Sequence, residues 1–526
     1  MNFIALFLSI SLFSLISGAM AGCSVTDRAA LLDFKASIVR DTTGILSSWV
    51  GTDCCDGWEG VDCNPQTGRV TSLQLERPHG VMKGTLSSSL GNLKFLQVLV
   101  VSGMKQITGT IPDSLSNLVH LTQLYLEDNM LQGRIPSNLS QLRSLMALSL
   151  NGNNFTGELP PQIGFISGLT QINFGRNRLV GAVPVTYRNL MKLQALDLSN
   201  NQFSGGIPSF LGKFQNLTLL DLSNNRFTGE IPVSIWGLSN LLDLYLCNNM
   251  LVGQVPSEIG NLRSLNSLSL SGNLLTGIIP DSIVKLQKLW YLNLSNNAFM
   301  GLPSGVENGL PSLLSIDLSY NKFQLGIIPN WIRNREMRDV HLAGCGIKGS
   351  PQAFAKPEAL NSLNLSSNFL TGEINGFLTN MTNLVSLDLS KNRITSFISQ
   401  FGKQTSPNLK WLDLSNNGMS GQIPSSISNL TGLKRLDLSR NQIKGIIPNS
   451  MGQMASLVWL DLSHNQLLGK IPETFAGLSK LGHVNFRVNK LCGEIPQKRP
   501  FNVFKAVAYA HNLCLCGNPM PPCKRL

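Results

Sequence analysis

An asparagine returns every 24 residues along this chain, at Asn129, Asn153, Asn177, Asn201, Asn225, Asn249, Asn273, Asn297 and Asn321, each time two residues before an apolar side chain. A fixed period of this length stacks one small unit on the next and leaves no single core to close around. The 526 residues therefore read as one elongated array rather than as several compact domains. Around each asparagine stands one phrase, seen as Leu121-x-x-Leu124-x-Leu126-x-x-Asn129-x-Leu131-x-Gly133-x-Ile135-Pro136. It begins irregularly at Val70-x-x-Leu73-x-Leu75 and Leu96-x-x-Leu99-x-Val101 and ends at Leu481-x-x-Val484-x-Phe486, about eighteen copies in all.

This is the leucine-rich-repeat pattern, and it predicts an α/β repeat solenoid: a curved superhelix with a concave parallel β-sheet and disulfide-closed caps at both ends. Each Leu-x-x-Leu-x-Leu segment should be a short strand, its neighbours about 4.8 Å away, with leucines inward and the x positions outward. The asparagine sits where the backbone must turn, and its amide can satisfy backbone groups inside the coil. In His341-Leu342-Ala343-Gly344-Cys345 a cysteine takes that place, so Cys345 is expected as a buried free thiol. Beyond it the spacing slips to Asn368, Asn392 and Asn417, and the Ile-Pro ending is missing around Leu302, Pro351, Ile374 and Ser396. These irregular coils are expected to bend or loosen the convex side.

Residues 1–21 read as a secretory signal peptide: an apolar run from Asn2 to Ile16, then Ala19-Met20-Ala21 before Gly22. A signal anchor is the rival reading. No later stretch approaches the roughly 20 apolar residues of a membrane span, so the mature chain is expected to be soluble and secreted, in the extracellular space or cell wall. Eight of the ten cysteines cluster at the ends, which implies an N-terminal cap over 22–69 and a C-terminal cap over 492–526, flanking repeats over 70–491. The expected pairs are Cys23 with Cys54, Cys55 with Cys63, Cys492 with Cys514, and Cys516 with Cys523. Metal binding is disfavoured, because Cys-x-x-Cys spacing is missing and only His511 lies near either cluster. Within the first cap, Thr26 to Val39 reads as a helix with Leu31, Phe34 and Ile38 on one side. Asn-x-Ser/Thr sequons at Asn138, Asn154, Asn216, Asn293, Asn364, Asn380 and Asn429 fit passage through a glycosylating compartment. The formal net charge of +12 favours acidic partners such as pectic polysaccharide, and the secreted location disfavours nucleic acid.

The Gly-x-Ile-Pro ending, as in Gly229-Glu230-Ile231-Pro232 and Gly421-Gln422-Ile423-Pro424, resembles the plant extracellular class of leucine-rich repeat. Asp27-Arg28-Ala29-Ala30-Leu31-Leu32-Asp33-Phe34-Lys35, Leu46-Ser47-Ser48-Trp49 and Asp53-Cys54-Cys55-Asp56-Gly57-Trp58-Glu59-Gly60-Val61-Asp62-Cys63 look like the cap of plant receptor-like proteins, receptor kinases and polygalacturonase inhibitors. The end of the chain, from Leu491-Cys492-Gly493 to Cys523, is similar to the C-terminal cap of the soluble inhibitors and of many receptor-like proteins. The resemblance implies recognition of a peptide, protein or wall polysaccharide in defence or development. Inhibition of a microbial polygalacturonase-type hydrolase, or action as a receptor-like component beside a membrane receptor kinase, are the alternatives. Because the chain stops at Leu526, it reads as a receptor ectodomain in soluble form.

Counting in register places Trp411, Arg435, Trp459 and His483 at one outward strand position of four successive repeats. Alternating indoles and cations at that spacing would form cation–π contacts, and Lys410, Lys434, Arg440, His464 and Arg487 make the surroundings basic. This is the candidate ligand site, since flat aromatics supply area and arginine supplies directed donors. Beside it run Asp388, Asp413, Asp437 and Asp461, with Asp197, Asp221 and Asp317 at equivalent earlier places. Such close like charges should raise some of their pKa values. Lacking an enclosing pocket, they are expected to pair with Lys410, Lys434, Arg435 and nearby hydroxyls rather than to catalyse. Glycans on Asn293 and Asn364 would cover the middle of the face and push ligands to its ends. Cys247 is read as an outward unpaired thiol. Nothing in the chain forms a phosphate-binding loop, a metal-ligand cluster or a nucleophile with its base, so no catalytic residue, metal or cofactor is expected.

Overall fold

The computed structural model describes residues 21–77, 79–303, 309–374, 377–378, 380–396 and 408–523. The expected signal peptide lies outside them but for Ala21. The described chain falls into two units that meet in sequence at Gln202 and Phe203.

In the first unit the helix covers Val25–Ala36, not Thr26 to Val39. Ile38 sits at helical spacing from Leu31 and Phe34, yet Ile38–Asp41 turns extended and pairs antiparallel with Met82–Gly84. A β-branched Ile-Val pair next to an open strand edge gains more from the sheet than from another helical turn. Asp27 is fully buried and accepts hydrogen bonds from Arg69 Nε at 2.9 Å, Arg69 Nη2 at 2.8 Å and the Val70 amide at 2.9 Å. The bidentate fork ties the helix to the first strand. Disulfides join Cys23 to Cys54 and Cys55 to Cys63. Cys23, Cys54 and Cys55 lie close enough to share an ion, but their sulfurs are spent in those bonds. Stacked Trp49 and Trp58, 5.3 Å apart, fill the cap interior. Val61–Cys63 lies antiparallel against Val70–Leu73 and covers the outer edge of the main sheet. That sheet continues in parallel through 98–102, 123–125, 147–149, 171–173 and 195–197.

The second unit repeats the same coil. Among the described residues its main sheet runs from Leu219–Asp221 to His483–Asn485, twelve strands paired in parallel. Register is residue-for-residue: Trp411 faces Arg435, Arg435 faces Trp459, and Trp459 faces His483. On the far side of each regular coil a 3₁₀ turn begins after a proline, as Ser425–Asn429 does after Pro424. The irregular coils expected around Leu302, Ile374 and Ser396 lie partly outside the described residues; near Pro329 the 3₁₀ turn is replaced by a short α-turn, Asn330–Arg333. The C-terminal end is closed by Cys492–Cys514 and Cys516–Cys523 and by packing of Phe475, Phe486, Phe501 and Tyr509.

The recurring asparagine is the internal fastener of each coil. Asn465 donates from Nδ2 to the carbonyls of Leu438, Leu462 and Ser463 at 2.9, 3.2 and 3.2 Å, and its Oδ1 accepts the Ile443 amide at 3.0 Å. Cys345 keeps half of this role: its buried thiol reaches the carbonyls of Leu318 and Ala343, and burial pushes its pKa up to about 12. Cys247 is half-buried and unpaired.

The residue before each asparagine takes the left-handed conformation, with Asn in that place at Asn224, Asn248 and Asn416. At Val488 a β-branched side chain is held at φ 56°, which is costly because the Cβ crowds the following carbonyl. Val488→Asn is expected to raise unfolding stability by ~1 kcal/mol in urea denaturation, and an unchanged or lower midpoint would refute the strain.

Candidate functional site

All nine residues of the candidate site lie on the main sheet of the second unit or its border, and the structure divides them into two parts. Trp459 and His483 are stacked, with ring centroids 3.5 Å apart and planes 9° from parallel. The Arg435 guanidinium lies over the other ring neighbour, 4.5 Å from the Trp459 centroid, while its Nη2 is 3.6 Å from Asp437 Oδ2. These three side chains form one block, prearranged by the register of their strands. Trp411, 51% exposed, stands apart from it. The expected alternation of four cation–π partners is thus one cation–π contact and one ring stack, because Arg435 leans toward Trp459 and Asp437.

Trp411 instead borders a hollow of about 320 Å³, shared with Arg435, His341, Ser362, Asn364, Ser386, Asp388 and Asp413. Small residues make it: where Trp411 and Arg435 stand, the two preceding strands carry Ser362 and Ser386. Sequence reasoning named Asn364, Asp388, Asp413 and Arg435 but missed His341, Ser362 and Ser386 as lining residues, although counting the period backward from Trp411 and Asp413 reaches each of them. His341 is held there by a 2.9 Å hydrogen bond between Nε2 and Ser362 Oγ. Lys410 and Lys434 are exposed along the edge, and Arg440, His464 and Arg487 gather at the strand ends. Burial, then the charges of Arg440 and Arg487, hold the His464 pKa below its usual value. His483 is lowered as well, chiefly by burial.

The aspartate column finds a hydroxyl partner as expected at Asp437, where Ser439 Oγ donates to Oδ1 at 2.7 Å, but backbone amides hold it throughout. Each carboxylate accepts the backbone amide two residues on: Asp388 from Ser390, Asp413 from Ser415, Asp437 from Ser439 and Asp461 from Ser463, at 2.8 to 3.1 Å. Asp197, Asp221 and Asp317 do the same. The column is a turn device. Among the described residues only Arg435 forms an ion pair with it; Lys410 and Lys434 do not. Burial, more than like charge, raises the Asp413 and Asp437 pKa values, the latter to about 6, with Asp413 and Asp461 adding to the rise and hydrogen bonds from Ser439 opposing it.

A carboxyl raised in the fold stabilises it below the unfolded value of 3.8 and loses that contribution as pH climbs through about 6. Asp437→Asn, which keeps the Oδ1 acceptor, is therefore expected to gain about 2 kcal/mol relative to the parent between roughly pH 4 and pH 8. Parallel stability curves across that range would show that Asp437 does not titrate there.

The sequons fall differently from expectation too. Asn216, Asn380 and Asn429 are exposed, whereas Asn138, Asn154, Asn293 and Asn364 are half-buried. Asn293 and Asn364 use their Oδ1 atoms as the aspartates do, accepting from Ser295 and Ser366. Since Asn364 lines the hollow beside Trp411, a glycan there would occupy the candidate site rather than direct ligands to it.

Leucine-rich-repeat family models match 120–142, 144–166, 192–214, 216–238, 244–299, 312–334, 380–396 and 407–467, and the leucine-rich-repeat N-terminal domain matches 25–64. The chain is a leucine-rich-repeat protein. The ectodomain of the Arabidopsis thaliana membrane receptor kinase GASSHO1/SCHENGEN3, solved with CASPARIAN STRIP INTEGRITY FACTOR 2, shares 33% identity and a TM-score of 0.68 over 86% of this chain and 56% of its own. The Arabidopsis HAESA ectodomain, solved with an extended IDA peptide hormone, shares 28% identity and a TM-score of 0.62 over 95% of this chain and 99% of its own. Among curated proteins, the polygalacturonase inhibitor of Vitis vinifera is 35% identical over 105 residues, 20% of this chain and 30% of that one. The chain spans about a third of the length of the first curated relatives it matches. This leucine-rich-repeat protein is thus built like plant receptor ectodomains, and no helix among its described residues is long and apolar enough to cross a membrane.

Proposed function

We propose that this leucine-rich-repeat protein is secreted and recognises a peptide or protein on the second unit's main sheet, at the hollow beside Trp411 and the block of Arg435, Trp459 and His483. The observation that carries this is an indole left 51% exposed at the rim of a hollow that also holds an arginine. Exposed tryptophan and half-buried arginine are the residue types that dominate binding energy at interfaces. The HAESA and GASSHO1/SCHENGEN3 complexes support a ligand-binding role without chemistry, and HAESA has also been solved with both its hormone and the co-receptor SERK1, which supports action beside a membrane kinase.

The test is to express the full chain in plant cells, confirm that it reaches the wall fluid beginning at Gly22, and select peptides from that fluid on the immobilised protein. Resynthesised peptides that bind the parent and not Trp411→Ala support the reading. Failure of every selected peptide or protein to distinguish the two overturns it. A second reading, inhibition of a wall hydrolase, is favoured by the likeness to the grape inhibitor; purified microbial polygalacturonases that keep full activity in excess of the chain would exclude it.

A further inference from the structure

A second hollow lies off the main sheet, on the small lateral sheet of the second unit formed by Lys348–Gly349, Phe369–Gly372 and Arg393–Ile394. Parallel register sets Lys348 beside Phe369, and Thr371 beside Arg393. The Arg393 guanidinium is 5.0 Å from the Phe369 ring centroid, and the ring remains 41% exposed. Phe369 follows the ladder asparagine Asn368; in the other coils that position holds Met130, Arg178, Gln202, Leu274, Lys322 or similar residues, never another aromatic. Neither Lys348 nor Arg393 is in an ion pair among the described residues.

The floor is Gly349. In several coils the side chain of the coil before lies across the equivalent glycine: a Cβ on Gly253 would meet Glu230 Cγ at 2.9 Å, and one on Gly445 would meet Gln422 Cγ at 2.8 Å. At Gly349, as at Gly229 and Gly421, nothing lies within 4 Å. The uncovered glycine leaves a hollow of about 550 Å³ lined by Gln324, Lys348, Gly349, Phe369, Thr371 and Arg393, within the roughly 300–1,000 Å³ of small-ligand sites.

The geometry points to an acidic sugar chain, a uronate oligomer, as the ligand of this lateral hollow. A uronate residue joins three chemistries on one ring, and the hollow supplies a partner for each. Phe369 offers an apolar platform for the C–H face of the pyranose. Arg393 and Lys348 offer charge-assisted donors for the carboxylate, Arg393 in a planar fork and Lys348 as a point charge. Gln324 and Thr371 bring amide and hydroxyl groups that can donate to and accept from sugar hydroxyls. A neutral sugar would leave both cations unanswered, and a simple anion would leave the ring unused.

The experiment is calorimetric titration of the full secreted chain with an unesterified oligogalacturonate, its methyl ester, and a neutral galactose oligomer of equal length. The unesterified oligomer is expected to bind at least ~10-fold more tightly than the other two. Arg393→Gln and Lys348→Gln should each weaken it by ~10-fold, and Phe369→Ala by ~5-fold. Circular dichroism melting of the three variants checks that they fold. Trp411→Ala should leave this affinity unchanged while weakening the peptide binding proposed for the main sheet by ~10-fold or more, so either site can fail without the other. No binding by the folded parent, equal binding of the ester, or full binding by Arg393→Gln would each overturn the assignment.

Discussion

Asn441→Ala is expected to lower unfolding stability by about 3–5 kcal/mol, the largest effect of any single change considered for this protein. The side chain donates to the carbonyls of Leu414, Leu438 and Ser439 at 3.0, 3.1 and 3.2 Å and accepts the Met419 amide at 3.0 Å. Alanine would leave the Met419 amide without a partner and take one bond from each of three carbonyls in a coil interior closed to water, where Leu414 keeps Asn417, Leu438 keeps Asn465 and Ser439 keeps the Asn416 amide. Asn441→Cys should cost less, because a thiol can still reach two of the carbonyls, as Cys345 does. Urea denaturation of the full chain measures both. A loss below about 1 kcal/mol for the alanine variant would mean that the ladder contributes little beyond what the strands already supply.

The second large effect concerns binding. Trp459→Ala is expected to weaken the selected peptide by ~30- to 100-fold, because it removes both the platform under Arg435 and the ring stacked on His483. Trp411→Ala should cost ~10-fold or more, as that indole is 51% exposed at the rim of the hollow. Trp290→Ala is the control, an indole 46% exposed elsewhere on the second unit, and its affinity should stay within about twofold of the parent. Equal losses at Trp290 and Trp459 would place the ligand outside the block.

How much of this could be read from the sequence depends on distance along the chain. The coil, its strands and the fastening role of asparagine are legible because one phrase states them repeatedly, and residues a whole period apart become neighbours in a regular array. That same counting brings Trp411, Arg435, Trp459 and His483 onto adjacent strands. It does not say which way a long side chain leans, and so misses that Arg435 chooses Trp459 and Asp437 over Trp411. Nor does it reveal hollows, which arise where a side chain is small or missing: Ser362 and Ser386 in one case, the uncovered Gly349 in the other. The helix end at Ala36 is hidden for another reason. Ile38 fits a helical stripe, and only the distant segment Met82–Gly84 offers it a better place. The pKa of Asp437 likewise follows from burial behind a turn, which the list of aspartates in sequence cannot show.

The asparagine ladder also sets the unit in which such a chain can change length. Asn465 bonds to Leu438 in the coil before it and holds the Ile443 amide there, while Leu438 is shared with Asn441. Every coil thus carries half of a joint whose other half belongs to its neighbour. Losing or duplicating one whole period rejoins equivalent halves and preserves every bond; losing part of one leaves donors facing the wrong carbonyls. Growth by whole coils is accordingly the step this architecture tolerates, and each such step slides a new set of outward residues into line, so that a binding column can be reassembled from existing strands without altering a single buried contact.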